Sequence, residues 1–228
     1  MGSVDGRILV ERWSQPTTGT TLSDLTTLYA QLGQSFQTDA WAFGKRTVRE
    51  IFPEEFQSIA NRPAKEEAPV FKGKHSGSGW FVSIDPEADI KYTNSTLRGD
   101  SILAVVDGSA SAEYLTFLQA MDISYLVVAD IHDLRDVLEQ LQAVFGIQSV
   151  LLKGGGALNA GMLAQGVIDE LSYVVYPGID GTAHSTSIFQ SLDSAQTSIA
   201  GSQSLQLRSA EVKPHGAVWL RYTIHHAR

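Results

Sequence analysis

Hydrophobic residues fall along this chain in two alternating rhythms, short solid runs and longer stretches at helical spacing. The runs are DAWAFG (39–44), WFVSID (80–85), SILAVVD (101–107), SYLVVA (124–129), Val150–Leu152 and ELSYVVYP (170–177). Runs of this length and composition predict short, mostly buried strands. Between them, Leu22, Leu25, Leu28, Tyr29 and Leu32 recur every three or four residues, predicting a helix capped by Thr21 or Ser23 and closed at Gly33. KRTVREIF starts a second helix, stopped by Pro53. Tyr114, Leu115, Phe117 and Leu118 mark a third over 110–120. Leu134, Val137, Leu138, Leu141, Val144 and Phe145 mark a fourth, ending at Gly146.

Three stretches depart from that rhythm. Residues 3–10 read as a strand or its end, with Ile8, Leu9 and Val10 apolar. Residues 53–79 are polar and carry Pro and Gly, so a long surface connection is expected there. SLQLRSAEVK (204–213) and AVWLRYTIHH (217–226) alternate apolar and polar around PHG, which predicts an antiparallel hairpin. Strands alternating with helices point to an α/β fold, a central mixed but mostly parallel sheet flanked by helices. The hairpin is expected to make that sheet mixed. No repeat or clean linker divides the chain, so a single domain over 1–228 is expected.

One stretch carries the strongest chemical signal. In QSVLLKGGGALNAG (148–161), a buried strand gives way to Gly154, Gly155 and Gly156, then to a helix start through Ala157, Leu158 and Asn159. Glycines at a strand-to-helix turn let the backbone bend and a ligand come close. The free N–H groups of the helix start favour a phosphate. A tight turn with no ligand fits the same residues. The stretch is not a P-loop, since no Lys-Ser/Thr follows. Nor is it the usual dinucleotide fingerprint, since Asn159 stands where the third glycine belongs.

A second strand end, Gly44, is followed by Lys45, Arg46 and Thr47. Two cations and a hydroxyl at a helix start suit a second phosphate, such as the 2′-phosphate that separates NADP from NAD, and equally a solvated basic first turn. Asp85, Asp107 and Asp130 each follow an apolar strand, where they could bond a ribose or cap a turn. The six histidines form no i, i+4 pair on an expected helix, so no metal site is expected.

Composition narrows the classes. Of 228 residues 43% are hydrophobic, enough for a real core, and the net charge of −8 without a basic run argues against nucleic acid or an anionic membrane as partner. There is no cysteine, which excludes disulfides, thiol nucleophiles and thiolate metal sites. No apolar run reaches the ~20 residues of a membrane span, and the first residues lack the order of a signal peptide. A cytoplasmic protein acting on a small molecule is expected.

Four blocks in order resemble the reductase domain of riboflavin biosynthesis, a pyrimidine reductase of the dihydrofolate reductase-like superfamily. Ser3-Val4-Asp5-Gly6-Arg7-Ile8 resembles its "S-[LV]-D-G-[KR]-I". Asp39 to Gly44, with Thr47 beyond, resembles "D-A-x-x-x-G-x-x-T". Leu151 to Asn159 resembles "L-x-E-G-G-x-x-L-N", and Gly166 to Leu171 resembles "G-L-[VI]-D-E-L", continued by Pro177 and Gly181. The blocks and the closing hairpin span nearly the whole chain.

The resemblance implies a dihydrofolate reductase-like fold, NADPH as hydride donor and a homodimer. It implies that Gly44, Thr47, Gly155, Gly156, Ala157 and Leu158 contact the cofactor, with Asp5 on the substrate side. Arg46, Gly154 and Asn159 join the expected cofactor set through the two phosphate readings above. The family's reaction reduces a ribosylamino-pyrimidine phosphate to its ribityl form. Two departures concern substrate: Lys153 stands where the family usually has Glu, and the family's lysine before the first block has no counterpart ahead of Met1-Gly2. Lys153 is therefore an expected substrate contact, and an NADPH-dependent reductase with its own substrate is the leading reading. The alternatives are a non-catalytic nucleotide-binding protein and a true dihydrofolate reductase, whose acidic residue is loosely met by Asp24.

Overall fold

The computed structural model describes residues 1–16, 19–57, 68–191, 200–201 and 203–226. In chain order the elements are β1 (Gly2–Ser3), α1 (Leu22–Gln34), β2 (Ala40–Gly44), α2 (Lys45–Ile51), β3 (Val70–Phe71), β4 (Trp80–Asp85), β5 (Thr96–Leu97) and β6 (Asp100–Asp107). Then come α3 (Ala112–Ala120), β7 (Ser124–Val128), α4 (Leu134–Phe145), β8 (Val150–Leu152), α5 (Gly156–Ala164), β9 (Glu170–Tyr176), β10 (Gln203–Val212) and β11 (Val218–His226). They form two compact units, one of residues 38–155 and the other of residues 1–37 with 156–228.

The 38–155 unit holds a seven-stranded sheet in the order β3-β7-β6-β4-β2-β8, with β5 beside β6. The pairs β8–β2, β2–β4, β4–β6 and β6–β7 are parallel. Such strands need cover on both faces, and the central β6 is buried from Ser101 to Val106. Phe81, Ile102, Leu118, Ile123 and Tyr125 belong to one core cluster, with α3 contributing its buried face. Helix α4 stops at Gly146, which adopts the left-handed conformation (φ 72°) and donates its N–H to Gln142 at 3.0 Å. At the sheet's edge Asp39 ties β2 to β8. Its carboxylate accepts from the Gln148 and Ser149 N–H groups at 2.9 and 2.8 Å and from the Ser149 hydroxyl at 2.9 Å.

The other unit holds a four-stranded sheet, β1-β9-β11-β10. The expected hairpin is present as β10 and β11, with a bulge between Leu207 and Ser209. Its hydrogen bonds go to β9, not to the parallel sheet. What makes the seven-stranded sheet mixed is β3 and β5, each two residues long and antiparallel to its neighbour. The β3 strand lies within the expected 53–79 connection, of which residues 58–67 fall outside those described. Helix α1 starts at a full capping box, with Thr21 Oγ1 accepting from Asp24 N–H and the Asp24 carboxylate accepting from Thr21 N–H. Its Leu28 joins Val174, Ala217 and Trp219 in a core cluster.

Two sequence expectations change. Gly33 lies inside α1, which ends at Gln34 with Ser35 in ordinary right-handed geometry (φ −66°) and no left-handed cap. The first strand is only Gly2–Ser3. Gly6 at φ 76° turns the chain away, and residues 8–12 run past Thr186 into a 3-10 turn at Val10–Arg12.

We expect Asp39→Ala to lower stability by about 1 kcal/mol at pH 7, the ordinary net worth of a hydrogen bond lost at an exposed position. The Ser149 hydroxyl and two N–H groups hold the Asp39 carboxyl below its ordinary 3.8. Its contribution is therefore present above that value and lost as pH falls beneath it. Urea denaturation of both proteins across pH 7 to 2.5 checks this; a gap between them that does not narrow in acid would refute it.

Candidate functional site

The parallel pairing of β2 and β8 continues past both strand ends. Lys153 N–H donates to the Ala42 carbonyl at 2.8 Å, and Gly44 N–H donates to the Gly154 carbonyl at 2.9 Å. This holds the glycine turn against the start of α2. Thr47 Oγ1 on α2 accepts from Gly155 N–H at a long 3.4 Å. Gly44, Thr47, Lys153, Gly154 and Gly155, from two blocks over a hundred residues apart, thus come together.

The three glycines are glycines for different reasons. Gly154 has φ 105°, where a side chain is strained. Gly156, the first residue of α5, lies so close to its neighbours that an added Cβ would stand 2.3 Å from the Ser187 carbonyl. Gly155 is under neither demand. A Cβ there meets only Thr47 Oγ1, at an ordinary 3.5 Å. The fold does not require a glycine at 155, and the space its missing side chain leaves is open for a ligand's close approach.

Of the two cations after Gly44, only Arg46 keeps its charge available. It is exposed and makes no hydrogen bond or ion pair among the described residues. Lys45 turns to an acidic cluster, 2.8 Å from Glu87, 2.8 Å from Asp89 and 3.9 Å from Asp85. Asp85 is fully buried and structural. It accepts from the N–H groups of Asp89 and Ile90 at 3.0 and 3.2 Å and lies 3.2 Å from the Tyr114 hydroxyl. Burial pushes its carboxyl up, against the pull of the Ile90 N–H and Lys45. Asp107 and Asp130 cap their own turns, accepting from Ser109 and His132 N–H at 3.0 and 2.8 Å.

Lys153 is half-buried, its Nζ 4.6 Å from the centre of the Trp41 ring. Burial, and then the nearby charge of Arg98, brings its ammonium down to about 8. Arg98 was not singled out by sequence. It occupies a two-residue turn between β5 and β6, where no motif marked it.

In the other unit, the first turn of α5 is bonded to the segment at 185–190. Gly156 O accepts from Gln190 N–H at 3.0 Å, and the Asn159 amide donates to the Ile188 carbonyl at 2.7 Å. Asn159 Oδ1 is buried without a hydrogen bond among the described residues. Ala157 is exposed and Leu158 half-buried. The same segment holds the first block, with the Ser185 carbonyl accepting from the Arg7 guanidinium at 2.8 Å and the Thr186 carbonyl from Ile8 N–H at 3.0 Å. Asp5 accepts from the Ser3 hydroxyl (2.6 Å) and from the N–H groups of Gly181 (2.9 Å) and Asp180 (3.2 Å), and the Ser3 bond foremost lowers its carboxyl to about 2. Glu170, from the fourth block, binds Arg221 of β11 and Arg208 of β10. No helix among the described residues is long and apolar enough to cross a membrane.

A family model described as the RibD C-terminal domain matches residues 2–220. The chain belongs to the RibD C-terminal domain family. Among solved structures, a pyrimidine reductase-like protein from Corynebacterium diphtheriae matches with TM-score 0.68 at 15% identity, over 99% of this chain and 89% of that one. RibD from Acinetobacter baumannii matches with TM-score 0.58 at 15% identity, over 98% of this chain but 56% of its own. The chain therefore spans little more than half of that RibD. These likenesses bear out the fold: a mixed α/β, dihydrofolate reductase-like architecture, as expected from the RibD resemblance.

The glycines separate fold from ligand. Gly156→Ala should cost several kcal/mol, because a backbone carbonyl must move, whereas Gly155→Ala should change stability by less than about 1 kcal/mol. Thermal unfolding of the two variants tests this, and equal destabilisation would contradict the reading of Gly155.

Proposed function

We propose that the chain is an NADPH-dependent oxidoreductase of the pyrimidine-reductase type, with a small-molecule substrate of its own. The observation that carries the cofactor half is Gly155, a glycine the fold does not need, at a turn where β8 passes into a helix. Bound NADPH would supply the hydride; the protein's part is to hold and orient it. In the 38–155 unit we assign Gly44, Thr47, Gly154 and Gly155 to the cofactor, with the side-chain-free face of Gly155 as the place of its close approach. In the other unit we assign Gly156, Ala157, Leu158 and Asn159 to the cofactor, on the N–H groups and the positive dipole end of the first turn of α5. Arg46, exposed and without an ion pair among the described residues, is the cation for a 2′-phosphate. Lys153 and Asp5 are the substrate-side residues, Asp5 acting through the turn it holds as well as through its own charge.

The dihydrofolate reductase alternative, which the Gly44 to Thr47 block also resembles, is weakened at the acidic residue it needs. Asp24 uses its carboxylate to accept from Thr21 N–H and lies 2.7 Å from the Thr21 hydroxyl, so it serves the helix cap. We place the protein in the cytoplasm and read it as a homodimer. Support for the dimer is β10, which among the described residues pairs with β11 alone and exposes Leu205 and Leu207 at 49% and 54%. Sedimentation at micromolar concentration should give twice the monomer mass of 24.7 kDa, and a monomer would remove the dimer from the reading.

For the cofactor, we expect NADPH to quench tryptophan fluorescence and NADH to bind more weakly. Gly155→Ala should raise the NADPH dissociation constant about tenfold or more with its fold intact, and Arg46→Ala should narrow the gap between NADPH and NADH. Failure of the unaltered protein to bind either nucleotide at millimolar concentration would sink the reductase reading. Binding without NADPH oxidation across pyrimidine ribose phosphates, pterins and simple carbonyls would favour a non-catalytic nucleotide-binding protein.

A further inference from the structure

Helix α2 carries Arg46 and Thr47, yet little in its own sequence favours it. It is seven residues long, and Gly44 ahead of it makes no side-chain cap. Its first turn has no acid but two cations, Lys45 and Arg46, which oppose the helix dipole. Val48 is its only buried residue, and Ile51 is exposed. A helix this short is marginal without outside support.

The support comes from the segment that follows β4, residues 85–91, which reaches both ends of α2. At the start, Lys45 Nζ lies 2.8 Å from Glu87, 2.8 Å from Asp89 and 3.9 Å from Asp85. Beyond the end, Phe56 N–H donates to the Asp89 carbonyl at 2.7 Å, and Lys91 N–H to the Glu54 carbonyl at 3.1 Å. Arg49, one turn after Lys45, donates to the Glu54 carbonyl at 3.2 Å and pairs with Glu55. The segment is itself anchored in the core. Asp85 is fully buried, and its carboxylate accepts from the Asp89 and Ile90 N–H groups at 3.0 and 3.2 Å. The Tyr114 hydroxyl of α3 donates to the Ile90 carbonyl at 3.0 Å. Ala88 is buried at φ 50°, a left-handed conformation that persists only where the surroundings impose it.

We propose that residues 85–91 are a clamp that positions α2, with Lys45 as its handle on the first turn, and that the clamp sets cofactor preference. The one bond from α2 to the glycine turn, Gly155 N–H to Thr47 Oγ1, is a long 3.4 Å. The placement of the helix, more than that bond, fixes where Thr47 and Arg46 stand. Lys45, Asp85 and Asp89 are therefore positioning residues. Theirs is a network with a fully buried member, which salt screens less than an isolated surface pair. The clamp rests on the proposed cofactor site only for what Arg46 and Thr47 meet; α2 is held with or without a nucleotide.

The test compares the unaltered full chain with Lys45→Met, Lys45→Arg and Asp89→Asn, by amide hydrogen exchange and by NADPH and NADH titration. In Lys45→Met and Asp89→Asn the amides of Arg49, Glu50 and Ile51, whose helical acceptors lie in the first turn, should exchange about tenfold faster or more. Exchange in β4 and β6 should stay within about threefold. NADPH affinity should fall about tenfold and NADH affinity less, so the preference between them narrows; a general loss of stability weakens both alike. Lys45→Arg keeps the charge and should stay within about threefold of the unaltered protein in both measurements. The Asp89 side chain is partly exposed, so Asp89→Asn reports even if Lys45→Met folds poorly. Unchanged exchange in α2 in both Lys45→Met and Asp89→Asn overturns the proposal. So does a Lys45→Arg protein as impaired as Lys45→Met, or faster exchange with the NADPH-to-NADH ratio unmoved. If the unaltered protein binds neither nucleotide, the cofactor reading falls, and the exchange data alone uphold or overturn the clamp.

Discussion

The site depends on two backbone hydrogen bonds that extend the β2–β8 pairing beyond the strands themselves. Lys153 N–H to Ala42 and Gly154 carbonyl to Gly44 carry the register of a parallel ladder into the turn. Parallel pairing offers no hairpin to set its register, so the register must come from the sheet's edges. Asp39 supplies it at the amino end, closing three hydrogen bonds to Gln148 and Ser149. With both ends fixed, the side chain at 153 and the bare backbone at 155 have determined positions. Those positions then take whatever chemistry the residues bring.

A run of three glycines invites a single explanation, but the structure supports three. One answers to a dihedral angle, one to a carbonyl pressed against it, and one to nothing in the protein. Only the third is evidence for a ligand. The distinction matters because a glycine-rich turn between strand and helix arises wherever a chain must bend sharply and pack tightly. Gly154 and Gly156 would be glycines in a protein that bound nothing.

What could be read from sequence was what is decided locally. The Thr21 capping box, the Gly146 stop and the buried runs at 80–85 and 101–107 depend on residues a few positions apart, and each appears where expected. The glycine turn and the Gly44 strand end were also marked as site elements, and the family blocks tied them together. The misses share a cause. β3 and β5 are two residues long, too short for any periodicity to register. The first strand was read too long because the Asp5-Gly6 turn interrupts an apolar run without breaking its composition. Lys45, one of two cations that fitted either a phosphate or a solvated turn, is instead paired with Asp85, Glu87 and Asp89, some forty residues on. Arg98 carried no motif, and its proximity to Lys153 is a property of the folded sheet.

Lys45 and Lys153 lie just beyond the ends of adjacent, paired strands, and their environments are opposite. The first is surrounded by three carboxylates; the second sits on an aromatic face with another cation beside it. A cation whose charge is already neutralised by carboxylates attracts an anion less than one left exposed to solvent. The acidic cluster therefore serves the site indirectly. By taking Lys45 out of competition, it leaves Arg46 as the exposed cation at the start of α2.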